Sequence, residues 1–168
     1  AGLSSESFSY NKTAQIRLIG MALVNDLADR ARVNVYGYDL GDYSIALSKD
    51  FASSPVEVNA NNLNLDPSND AQAKVLAEDL ASADVDDFLR SVRARLPQGD
   101  AVVVSRPSAA SRDLEVWLLW AEPSTDEANK ETDKGNFALF EAGQGNCPND
   151  LSEDDKKKFS CMFFKVGL

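Results

Sequence analysis

Positions 13–35 read TAQIRLIGMALVNDLADRARVNV, and the apolar residues there do not stay on one helical face. Ile16, Ile19, Leu23 and Leu27 make one stripe, while Leu18, Met21, Ala22 and Val24 put more apolar surface around the sides. An ordinary surface helix carries one apolar stripe. A helix apolar on more than one side is expected to pack both on its own domain and against something else. The pattern predicts a helix over 5–32, with Gly20 a weak point costing about 1 kcal/mol relative to Ala. Ala1 stands where a start Met would be, and 3–10 lead into the helix without Pro or turn dipeptides, so the chain is expected to continue upstream.

The segment that follows, down to Asp70, is rich in Asn, Asp, Ser and Gly and reads as a long connection with short ordered pieces. Asp70 is expected to cap a helix beginning at Ala71. Val85, Phe88, Leu89, Val92 and Leu96 keep helical spacing, with Ser82 or Asp84 as the cap of a second helical segment and Pro97-Gln98-Gly99 as its end. From Asp100 the period changes to two. Residues 101–106 read as a Val-rich strand, 107–112 as a turn, and 114–121 as a strand in which Leu114, Val116, Leu118 and Trp120 alternate against Glu115, Trp117 and Leu119. Residues 136–142 and 159–166 are two further candidate strands. The expected fold is therefore α+β in a single domain, 1–168: an N-terminal helix over 1–35, a connecting region with helix over 36–99, and an antiparallel sheet of about four strands over 100–168. Trp117 and Trp120 fall on opposite faces of one strand, so at most one can enter a given core; the other is covered by the long helix or belongs to a partner surface.

Composition narrows the chemistry. At 168 residues, 43% hydrophobic and 26% charged, the chain has the size and make-up of one folded domain. Its net charge of −10 removes the phosphate-neutralising surface that nucleic-acid binders rely on, so no nucleic-acid partner is expected, a local strip at Arg90, Arg93 and Arg95 notwithstanding. There is no His, hence neither the commonest general base near neutral pH nor the commonest metal ligand. No GxGxxG, phosphate loop, nucleophile elbow or CxxC is present, and neither cofactor nor catalytic residue is expected. Acidic clusters at Asp84, Asp86 and Asp87, at Asp126 and Glu127, and at Glu153, Asp154 and Asp155 read as solvated or helix-capping residues. Asp66-Pro-Ser-Asn-Asp70 lacks the Gly and distal Glu of a calcium loop.

Cys147 and Cys161 either close a loop as a disulfide in an oxidising compartment, worth about 3 kcal/mol, or remain two reduced thiols. The polar, loop-like stretch between them favours the cross-link.

The order of these parts resembles a type IV pilin lacking its N-terminal transmembrane half-helix, and is most similar to the PilV group of minor pilins, the type IV pilus modification proteins. The resemblance rests on Val24-Asn25-Asp26-Leu27-Ala28-Asp29-Arg30-Ala31-Arg32-Val33-Asn34, then Tyr36-Gly37-Tyr38 and Gly41-Asp42-Tyr43. It continues through Leu96-Pro97-Gln98-Gly99, the strand at Val102 to Val104, the strand at Val116 to Glu122, and Cys161-Met162-Phe163-Phe164-Lys165-Val166. Ala31 departs from the larger apolar residue usual there, 44–71 has no counterpart, and a prepilin cleavage site with its following Glu is not among these residues.

The resemblance implies a non-enzymatic assembly protein with a pilin-like fold. It implies an inner-membrane anchor through a segment upstream of Ala1, a periplasmic domain before assembly, and a later place at the pilus tip on the cell surface. Its implied partners are other minor pilins, the major pilin and a PilY-type tip adhesin, and its implied role is to prime pilus polymerisation. The helix face drawn from Ile16, Ile19, Leu23 and Leu27, or from Leu18, Met21 and Val24, would meet the equivalent helix of another minor pilin. Two alternatives stand beside it: a minor pseudopilin of a type II secretion system tip complex, and a tip adhesion or ligand-binding module with a pocket lined by Tyr36, Tyr38 or Tyr43.

Overall fold

A computed structural model describes residues 5–107, 110–121 and 147–168, with side chains described from Ala14 onward. Helix α1, Ser5–Val33, carries Arg30 and Arg32 in its last turn, where cations meet the negative end of the helix dipole. Asn34 leaves the helical conformation and caps α2, Val35–Asp39, its side chain accepting from Gly37 N. A 3-10 turn spans Ala60–Asn64.

Helix α3, Asp70–Arg95, is continuous. The two helical segments expected there are one, because Ser82 and Asp84 sit mid-helix and interrupt nothing. Its cap is Asn69 rather than Asp70: the Asn69 side chain accepts from Ala71 N and Gln72 N, both at 3.1 Å. The helix ends at Leu96, extended because Pro97 follows.

Strands β1, Asp100–Ser105, β2, Asp113–Ala121, and β3, Phe159–Gly167, form an antiparallel sheet in the order β1-β2-β3. Three strands stand among the described residues where about four were expected, and the candidate strand at 136–142 lies outside them. Ile45 extends β1's outer edge by a two-bond bridge to Val103. A short helix α4, Glu153–Lys156, capped by Ser152, precedes β3.

The alternation along the strands divides the apolar residues between two clusters. Ala101, Val103, Leu114, Val116, Leu118, Trp120 and Met162 face the helices and join α1 and α3 in the larger core. Val102, Leu119 and Cys161 face the other way and join Leu151, with Trp117, Cys147 and Phe159 packed around them. Trp120 is fully buried in the first cluster and Trp117 half-buried beside the second, as their opposite faces require. Helix α1 lies close on the sheet at Gly20, where an added Cβ would come within 2.9 Å of Phe164 Cζ and 3.2 Å of Leu118 Cδ1. The described residues thus form an α+β fold, a long N-terminal helix on a three-stranded antiparallel sheet.

Candidate functional site

Helix α1 spends most of its apolar surface on its own domain. Ile16, Leu23, Val24 and Leu27 are buried with Ala28 and Ala31, and Ile19 packs partly against the same core. These candidate partner residues are therefore committed inward, Val24 included. The outward ones are Leu18 and Met21, 68% and 47% exposed. Spacings of three and four bring Ala14, Leu18, Met21 and Ala22, all exposed, onto one face over two turns, and the next exposed positions are the polar Asn25, Asp26 and Asp29. The outward surface is apolar at Leu18 and Met21, carries Asp26 and Asp29 paired with Arg30 and Arg32 further along, and ends at Val33, 84% exposed. Sequence reasoning left the two stripes as alternatives, because period alone does not say which side meets the sheet.

A polar network fixes the C-terminal half of α1 to α3. Arg30 Nη1 donates to Asp84 at 3.2 Å and Asp87 at 3.1 Å, and Arg30 Nε to Asp26 at 3.0 Å. Asp84 also accepts from the Tyr43 hydroxyl at 2.6 Å, and that hydroxyl accepts from Asn34 Nδ2 at 3.1 Å. Asn34 Nδ2 reaches Ala77 O as well, at 2.9 Å. Burial, reinforced by the Asp84 carboxylate it serves, pushes the Tyr43 phenol well above its ordinary value. Asp84 and Asp86 are 6% and 5% exposed, which corrects their reading as solvated or capping residues. Both sit inside α3, and their charge is met by Arg30 and by Arg90, whose Nε lies 2.7 Å from Asp86. Buried carboxylates survive because they are hydrogen-bonded and paired.

The cysteines are joined: Cys147 and Cys161 form a disulfide, Cα–Cα 5.1 Å, on the face of the sheet away from α1. Beside it Trp117 and Phe163 pack with ring centroids 4.9 Å apart. Among the described residues the buried Trp117 indole N–H has no hydrogen-bond partner.

The remaining sequence candidates disperse. Asp66 closes a local turn by accepting from Ser68 N and Oγ, at 2.9 and 2.7 Å. Glu153, Asp154 and Asp155 occupy the first turn of α4, and Asp126 and Glu127 lie outside the described residues. Arg90 and Arg93 are turned onto the Phe51 ring. Tyr38 and Tyr43 are fully buried, leaving Tyr36 as the exposed one of the three tyrosines. The Tyr38 hydroxyl is occupied in tying down the β1–β2 connection, donating to Asp113 O at 2.7 Å and accepting from Arg106 N at 3.2 Å. Among the described residues no group of three carboxylate or Cys side chains could hold a metal ion, and no helix is long and apolar enough to cross a membrane. Comparison with protein-family models, with curated proteins and with solved structures finds no match for this chain.

Proposed function

We propose that this chain is a minor pilin of the PilV type, which joins other minor pilins in a tip complex that primes type IV pilus assembly. The observation that carries the reading is the division of labour on α1. One side is buried in its own domain through Ile16, Leu23, Val24 and Leu27, and the opposite side holds Leu18 and Met21 out in solvent. Large apolar side chains left exposed at neighbouring helical positions are what a helix–helix contact uses. The sequence resemblance supplies the kind of partner, and the disulfide is compatible with a periplasmic domain. The same proposal includes an inner-membrane anchor before assembly, contact with the major pilin and a PilY-type adhesin at the tip, and no enzymatic step.

The experiment is a deletion strain complemented with wild type or with the Leu18→Asp/Met21→Asp variant. Burial of each side chain is worth roughly 1.5 to 3 kcal/mol, so the variant should retain less than about a tenth of the co-purifying minor pilins and leave fewer sheared surface pili. Circular dichroism of the purified domain should be unchanged. A folded variant that recovers its partners and pili at wild-type levels overturns the assignment of this surface and the priming role together. Recovery of secretion-system pseudopilins in place of pilins would move the chain to the type II secretion reading.

A further inference from the structure

From Ser48 to Asn69 no residue is buried. The stretch is bounded at one end by Leu47, packed on the outer cluster next to the Ile45 bridge, and at the other by Asn69, the cap of α3. Its hydrogen bonds to other described elements go to α3: four end on two carboxylates, and Asp66 N donates to Gln72 Oε1 at 2.7 Å next to the Asn69 cap. Asp86 accepts from Ala52 N at 2.7 Å and Val56 N at 3.2 Å, and Asp79 accepts from Asn59 N at 2.7 Å and Asn62 Nδ2 at 3.0 Å. Arg90, held by Asp86, donates to Ala52 O. Phe51 lies under the Arg90 guanidinium, 4.7 Å from the ring centroid, with Arg93 at 5.9 Å. Between the stretch and the helix lies a cavity of about 280 Å³, walled by Ser82, Val85 and Leu89 on one side and by Lys49, Ala52 and Val56 on the other.

A segment fastened to one element mainly by polar contacts, with Phe51 the one side chain it packs against the edge of the main core and none fully buried, can detach without opening that core. We propose that residues 48–69 are a strap that releases from α3 as a unit while the rest of the domain stays folded, unroofing the cavity over Val85 and Leu89. Asp86 and Asp79 are its two latches. Three of the four bonds they accept from the strap come from backbone N–H groups, so the hold depends on the helix's carboxylates more than on the strap's side chains. This inference is independent of the pilus reading.

Native-state hydrogen exchange on the intact chain tests it, at a pH where Asp86 is ionised. In the wild type the amides of Ala52, Val56 and Asn59 should exchange at least about 100-fold faster than those of Leu27, Val92 and Leu118. Asp86→Ala should speed all three strap amides together by about tenfold and leave the core amides unchanged. Asn59 is the informative one, since its amide is held by Asp79 and not by the altered residue. Faster exchange at Ala52 and Val56 alone, an equal acceleration of the core amides, or wild-type strap amides as slow as the core would each overturn the proposal. Should Asp86→Ala fail to fold, Phe51→Ala decides by the same three amides, with an expected acceleration of about threefold.

Discussion

The two faces of the sheet are held by different means. On the helix side, two long helices lay continuous apolar stripes over Leu114, Val116, Leu118 and Trp120, and the contact is reinforced by the Arg30, Tyr43 and Asp84 network. On the other side a smaller cluster around Val102 and Leu119 is closed by Leu151 and by the Cys147–Cys161 bond. Among the described residues, the first face is held mainly by area and close packing, and the second by a smaller apolar cluster together with a covalent tie. The chain carries two tryptophans, and the structure puts one on each face, so single-Trp variants report on the faces separately.

The sharpest way to break the comparison is to empty each face in turn. Trp120→Ala removes a fully buried side chain and should cost about 3 to 5 kcal/mol in urea unfolding. Trp117→Ala removes a half-buried ring whose N–H has no partner among the described residues, and should cost about 1 to 2 kcal/mol. Equal losses would mean that the two faces are equivalent after all.

Removing the covalent tie comes next. Cys147→Ala/Cys161→Ala, or reduction, should cost about 3 kcal/mol for a loop closed over 14 positions. Fluorescence from Trp117 should change at lower urea than fluorescence from Trp120. Coincident transitions would show that the outer face does not loosen by itself.

The smallest effect is that of acid, and it should act from the helix side. Burial pushes the Asp86 carboxyl up, but the hydrogen bonds from Arg90, Ala52 N and Val56 N outweigh it and hold the group below its ordinary value. A carboxylate with a depressed folded-state value contributes stability that is fully present above the unfolded value, near pH 4, and is lost as pH falls through the folded one. The stability difference between wild type and Asp86→Ala should therefore be constant above about pH 5 and shrink on acidification below about pH 4. A difference that stays constant down to pH 2, or grows, would contradict this linkage.

Much of the fold was legible because it is written in periods. The two-residue alternation of β2 separates Trp117 from Trp120 correctly, and the extent of α1 and β3 follows from their patterns to within a residue or two. The connecting region was legible only as polar. What binds it to α3 is a set of contacts between residues far apart in sequence, and no local signal announces them. Asp84 and Asp86 show why: beside Asp87 they look like a solvated acidic run, and only the fold brings Tyr43, Arg30 and the Ala52 amide to them. The candidate surface was half legible for a related reason. The apolar sides of α1 could be counted, but which side meets the sheet depends on how the helix is turned when it docks.

That turn is refined at Gly20. A smooth cylinder resting on a flat surface would be free to rotate about its own axis, and each residue step along an α-helix corresponds to about 100° of it. The buried stripe and the Arg30 network restrain that rotation, and Gly20 refines it. The notch at Gly20, seated over Phe164 and Leu118, works as an index mark for this rotation. Ile19 on one side of it is aimed inward and Met21 on the other outward. A side chain placed in the notch would run into the ends of Phe164 and Leu118, and that ring and methyl, or the helix itself, would have to shift. The bearing of the outward surface is thus trimmed by the one residue in that turn that has no side chain to present.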